Sequence, residues 1–331
     1  MSAERNFEDR LDSLRKEAKH GGAVTGRGVD IAGGPIPKQP GYYGEAVVKP
    51  PVWTWEIPFY FFVGGAAGMA PLIACAAWFA GLFELMRAAL WIAAAGAIIS
   101  PILLIMDLGR PALFLNMLRV FKRRSPMSMG AWILSLFGAF AVPACFFFEL
   151  YVNHVIDPLI DPLLRIVAGL LNIGAAASGL ALATYTGVLI GATVIPAWFL
   201  HRILLPIHFG TAGLGCAVAI LELLGFQIRP LYFLGMLAAM IETLLWIWLE
   251  VDKHGAADRA LHRGRPGWLI RFGEFFSGPL PILFRLTSLI PLAALAFLLG
   301  ELLSRFGWIA AGRVSGRDPE AVFASQSTRG G

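Results

Sequence analysis

Ile57-Pro-Phe-Tyr-Phe-Phe-Val-Gly-Gly-Ala-Ala-Gly-Met-Ala-Pro-Leu-Ile-Ala-Cys-Ala-Ala-Trp-Phe-Ala-Gly-Leu82 runs without a single charged side chain. A bilayer crossing needs about 20 consecutive, mostly apolar residues in a helix, and this run exceeds that. A helix of a water-soluble protein would need a polar face. None is present, so the stretch reads as a transmembrane helix. The same pattern recurs along the chain. Further apolar runs extend from Ala88 to Met106, Ala131 to Phe148, Ile166 to about Val194, Ile203 to Leu224, Pro230 to Leu249 and Thr287 to Leu303. Pro196 to Arg202 turns the chain between the fourth and fifth runs. Gly267 to Phe284 carries Arg271, Glu274, Gly278, Pro279 and Pro281. It reads as an interfacial or re-entrant helix rather than a full span. The expected fold is an all-α, polytopic transmembrane bundle of about seven spans, or eight if that segment crosses.

Composition agrees. Of 331 residues, 57% are hydrophobic and 15% charged, against about 25% charged in a soluble globular protein. A chain this poor in charge cannot cover a water-facing surface of its size. Residues 1–52 read as an N-terminal tail and linker, 53–312 as the membrane domain and 313–331 as a C-terminal tail. Within the tail, Arg5 to His20 reads as a short amphipathic helix, and Gly21 to Gly44, rich in Gly and Pro, as an extended linker. No apolar signal-peptide core precedes the first span.

The basic residues are unevenly placed. The N-terminal segment carries Arg5, Arg10, Arg15, Lys16, Lys19, Arg27, Lys38 and Lys49. The loop after the second span carries Arg110, Arg119, Lys122, Arg123 and Arg124, and the loop after the sixth carries Lys253, Arg259, Arg263, Arg265 and Arg271. With alternating spans all three lie on one side, and the opposite loops offer only Arg87, Arg165 and Arg229. The positive-inside rule puts the N-terminus in the cytoplasm of a cell inner membrane. Charge placed this way is a topology signal, not a nucleic-acid footprint. The basic loops are also a docking surface for a partner.

Cys75, Cys145 and Cys216 each sit in an apolar stretch with no C-x-x-C spacing, which argues against a disulfide framework or an iron–sulfur cluster. Of the six histidines only His208 lies well inside a span, so a haem b has no obvious pair of axial ligands. No metal site is expected.

Ionisable groups inside a bilayer are costly, about 2.5–3.5 kcal/mol each on insertion scales, and are functional suspects. They are Glu56, Asp107, Arg110, Glu149, His208, Glu222 and Glu242, with Tyr60, Asn172 and Tyr185 polar but neutral. Glu56 opens the first span, and Asp107 and Arg110 close the second on the same side, three residues apart and able to pair on one helical face. Tyr185 lies about two turns before the end of the fourth span, and His208 one to two turns into the fifth. These groups converge on one face and suit a small polar head group with which they exchange protons. Each has a structural reading too: first-turn carboxylate, loop clamp, packing histidine, inter-helix hydrogen bond. Glu149 and Glu222 lie near the far interface and read as solvated, whereas Glu242 sits near mid-span.

Pro51-Val-Trp-Thr-Trp-Glu-Ile-Pro-Phe-Tyr-Phe-Phe-Val-Gly-Gly-Ala-Ala-Gly68 resembles the first helix of the NrfD-like family, the polysulphide reductase membrane subunits. Met106-Asp-Leu-Gly-Arg-Pro111, Asn116-Met-Leu-Arg119 and Ser125-Pro-Met-Ser-Met-Gly-Ala-Trp132 are similar to that family's connection between helices two and three. Tyr185-Thr-Gly187 and Arg305-Phe-Gly-Trp-Ile-Ala-Ala-Gly-Arg313 match further blocks. The resemblance implies a quinone-binding anchor, for menaquinone or ubiquinone, without a haem or cluster of its own. It implies electron exchange with a ferredoxin-like iron–sulfur subunit and a molybdopterin catalytic subunit. It also implies a quinone site using Glu56, where well-known members carry histidine, and Tyr185. Trp53, Tyr60 and Arg110 are the accompanying binding candidates, with His208 and Asp107 assisting proton exchange. The rival expectation is a secondary transporter that moves protons or other ions along Glu242, Glu149 and Glu222.

Overall fold

The structure, a computed structural model, describes residue 48 and residues 53–327 apart from 108–113, 124, 156, 158, 253 and 254. The expected tail helix, the linker, Arg110, Arg124 and Lys253 lie outside the described residues. Every regular element described is helical: α1 Glu56–Phe79, α2 Phe83–Asp107, α3 Pro126–Val152, α4 Asp161–Gly191, α5 Leu204–Leu223, α6 Arg229–Val251, α7 Gly264–Ser277, α8 Pro279–Leu286, α9 Ile290–Arg317 and α10 Pro319–Ser327. One-turn helices at Asn116–Arg119, Pro196–Leu200 and Arg259–His262 sit in the connections. Among the described residues, α1 to α6 and α9 are the seven helices long and apolar enough to cross a membrane. The chain is a multi-pass membrane protein.

The helices alternate in direction. α1 is the central post and packs against α2, α4, α5 and α9; α5 bridges it to α6 and α9. The face at which α1 begins is the near face, and the opposite one the far face. Close approach is bought with glycine: a Cβ on Gly68 of α1 would lie 2.5 Å from the Gly179 carbonyl oxygen of α4, and one on Gly179 2.1 Å from that of Gly68. Small residues drive helix association in lipid because backbone packing replaces the hydrophobic effect. Large apolar side chains such as Trp91, Ile98, Phe146, Leu170 and Leu244 remain exposed on the outer faces, where lipid would cover them.

Residues 264–286 differ from the interfacial or re-entrant segment expected. Arg271 of α7 bonds Glu250 at the near end of α6 (2.9 Å), while Arg285 of α8 bonds Glu222 at the far end of α5 (2.7 Å). Along the interface of α7 with α9, Gly273 meets Ser304 and Gly307 meets Ile270, in antiparallel order. α7 and α8 therefore run the depth of the bundle beside α9. Their fourteen and eight residues, at about 1.5 Å each, suffice for a hydrocarbon core about 30 Å thick. The break has a local cause: Gly278 leaves helical geometry (φ −104°, ψ −93°), Pro279 brings no N–H and takes the first position of a new helix, and Pro281 follows in the same turn. This eighth, broken crossing returns the C-terminal α10 to the near face, where Arg259 meets Asp318 and Glu320.

Candidate functional site

Near-face groups gather at the start of α1. The Thr54 hydroxyl donates to Glu56, and the Thr54 amide donates to Asp107 Oδ1 at 3.4 Å. One residue thus ties the first carboxylate of α1 to the last residue of α2. Trp53 stacks on buried Trp198, centroids 5.5 Å apart, and its carbonyl accepts from Arg313 of α9. The Trp198 indole donates in turn to the Trp308 carbonyl at 2.8 Å. These contacts fix where α1 enters the bundle.

Below this rim lie two phenols. Tyr60 is buried one turn inside Glu56, with Tyr185 an electrostatic neighbour. Tyr185 donates to the Pro126 carbonyl at the start of α3. Its ring covers Gly130, where a Cβ would approach to 2.9 Å. Ser100 is the residue sequence reasoning missed. Its hydroxyl is buried without a hydrogen-bond partner, beside Tyr60: a Cβ on Gly64 would lie 3.4 Å from both. A lone serine in an apolar run carries no signal of its own. Together the groups offer one face with carboxylate acceptors and hydroxyl donors, suited to a small ring bearing oxygen at opposite ends.

His208 does not join this face. Its Nδ1 lies 2.6 Å from Glu242 Oε2, and its Nε2 lies 3.1 Å from Ser304 Oγ. Ser304 Oγ donates to Glu274 Oε1 at 2.9 Å. Arg305 stacks 3.7 Å over the Phe209 ring and faces Glu301 one turn back at 3.6 Å. All of these ionisable groups are at most 3% exposed. Phe61 and Phe209, 5.7 Å apart, stand between this core and the near-face rim. Donor atoms of His208, Glu242 and Glu274 lie within 4.8 Å of one another, a spacing a metal ion can bridge. Here, however, the two ring nitrogens are turned to different partners, which is the geometry of a hydrogen-bonded chain.

Far-face carboxylates are paired. Glu222, expected to be solvated, is buried and receives two 2.7 Å bonds from Arg285. Glu149 receives two from Arg87, also 2.7 Å, and one from the Trp91 indole. The cysteines are free thiols.

The fold and this polar rim define a class: an integral membrane subunit whose polar groups meet at one end of a helical bundle. The sequence goes further. Residues 45–229, more than half of the chain, match the family Polysulphide reductase, NrfD. The chain belongs to that family, the membrane subunits of polysulphide reductase-type oxidoreductases, which are linked in general to quinones and to iron–sulfur and molybdopterin partners. No curated protein matches the sequence significantly.

Proposed function

We propose that the chain binds a quinone at the near-face rim and passes electrons between the quinone pool and an iron–sulfur partner docked on that face. The observation that carries this reading is the tie of Glu56 and Asp107 through Thr54 at the near ends of α1 and α2, with Tyr60 one turn below Glu56 and Tyr185 in the last turns of α4, all within the region matched to the family. The donor set suits the head group. Carbonyl oxygens of a quinone need O–H donors, which Tyr60 and the unpartnered Ser100 hydroxyl supply; quinol hydroxyls need acceptors, which Glu56 and the phenol oxygen of Tyr185, its own O–H committed to Pro126, supply. Oxidation of a quinol there would release two protons and two electrons, the electrons to the iron–sulfur partner. Glu56 takes the two ring-hydroxyl protons in turn and passes each to the near face through Asp107. Tyr185, held by Pro126, orients the opposite oxygen. Trp53 closes the rim against Trp198.

The near face carries Arg119, Lys122, Arg123, Arg259, Arg263 and Arg265 in its connections and at the start of α7, against Arg87, Arg165, Arg229 and Arg285 towards the far face. The positive-inside rule then makes the near face cytoplasmic in an inner membrane, with the N-terminus on that side. Tyr185→Phe and Glu56→Gln in the purified complex should each lower quinone-coupled turnover at least tenfold with subunit yield unchanged. Normal turnover in both variants would sink the site.

A further inference from the structure

We propose that α5, α6, α7 and α9 enclose a titrating proton on the chain Glu242–His208–Ser304–Glu274, a buried proton-transfer site apart from the rim. It stands independently of the quinone reading. The residues Glu242, Glu274 and Ser304 lie beyond the family-matched region, which ends at residue 229.

Counting hydrogens carries the inference. Three contacts link the chain in series: Glu242 Oε2 to His208 Nδ1 at 2.6 Å, His208 Nε2 to Ser304 Oγ at 3.1 Å, and Ser304 Oγ to Glu274 Oε1 at 2.9 Å. Each needs one hydrogen between its heavy atoms. A neutral imidazole brings one and a serine hydroxyl brings one; an ionised carboxylate brings none. The third hydrogen must be an added proton, held on a carboxyl or on the imidazole.

The surroundings supply a reason to hold it. Facing the chain are Glu301 and Arg305 from α9 and the Cys216 thiol from α5. Glu242, Glu274 and Glu301 make three carboxylates against one guanidinium, all buried. An uncompensated buried charge costs several kcal/mol, and a proton removes one. The chain can also move it. With the proton on Glu242, imidazole Nε2–H donates to Ser304 and Ser304 donates to Glu274. In the shifted state the Glu242 O–H bond has broken and Nδ1–H has formed. Nε2–H has broken in favour of a new Ser304 O–H, and the former serine hydrogen sits on Glu274. One proton has crossed from α6 to α7, with every bond broken matched by one formed. On the near-face side, His201 and His208 both flank Trp308, at 5.9 and 6.3 Å. His201 meets Asp258 at 3.0 Å, and Asp258 lines an open cleft of about 580 Å³.

Infrared spectroscopy of the full chain in lipid nanodiscs at neutral pH tests this. The wild type should give a protonated-carboxyl C=O band with a component that shifts in D2O and disappears in Glu242→Gln, whose amide supplies the third hydrogen itself. Absence of both that band and the ring modes of a protonated His208, or a band of undiminished size in Glu242→Gln, would overturn the proposal. Should that variant fail to fold, Ser304→Ala decides, because it cuts the chain while leaving both carboxyls. There the D2O shift of the buried carboxyl should slow at least tenfold or the component vanish; exchange at the wild-type rate contradicts a chain through Ser304.

Discussion

Thr54 holds Glu56 with its hydroxyl and Asp107 with its amide, so one exposed side chain at the rim organises two carboxylates on different helices. That Glu56 and Asp107 share one face was legible because depth follows from position in a span; the Thr54 tie between them was not. Pairings deeper in the bundle were not. His208 and Glu242 are 34 positions apart on helices that are apolar nearly all round, and such helices do not declare which face turns inward. Glu222 was misread for a related reason: its partner Arg285 lay in a segment expected at the interface. That pair, 1% exposed on each side, gives a residue-scale prediction. Removing one partner of a buried ion pair typically costs about 3–5 kcal/mol. Glu222→Gln should therefore destabilise the chain by about that amount in detergent unfolding, while the paired apolar change Glu222→Met with Arg285→Leu recovers most of the loss. An unfolding midpoint unchanged in Glu222→Gln would show that the pair contributes nothing.

Helix contacts depend on where backbones touch. At Gly179 an added methyl meets the Gly68 carbonyl of α1, which cannot swing aside as a side chain would. Overpacking of this kind costs about 1–3 kcal/mol, so Gly179→Ala should lower the thermal midpoint of the purified chain. Gly138, with nothing within 4 Å of its added Cβ, is the control, and Gly138→Ala should be neutral or stabilising through helix propensity. Equal behaviour of the two variants would argue against close α1–α4 packing. Seven spans were readable from apolar run length alone. The α7–α8 crossing was not, since Arg271, Glu274 and Arg285 break its apolar run and their compensation comes from α5, α6 and α9. In a cysteine-free background, single cysteines at Arg263 and Ser288 should react with impermeant reagent from opposite faces of sealed vesicles. Labelling of both from one face would restore the re-entrant reading.

At the scale of the whole molecule, the eight crossings leave the start of α1, the basic connections and the C-terminal α10 on one face, together with the rim. An electron partner bound there would sit next to the proposed quinone, and no redox metal within the bundle is needed to bridge a distance. Composition and motif blocks made the family legible; the substrate of a catalytic partner is written in that partner's sequence, not in this one. The decisive measurement is reduction of an iron–sulfur cluster by added quinol in the complex purified with its native partners, followed by electron paramagnetic resonance. A quinone site at Glu56 and Tyr185 predicts cluster reduction in the wild type and at least tenfold slower reduction in Tyr185→Phe, with the cluster still reducible by dithionite. A metal-free chain that purifies alone, or wild-type rates of reduction in both Tyr185→Phe and Glu56→Gln, would contradict it.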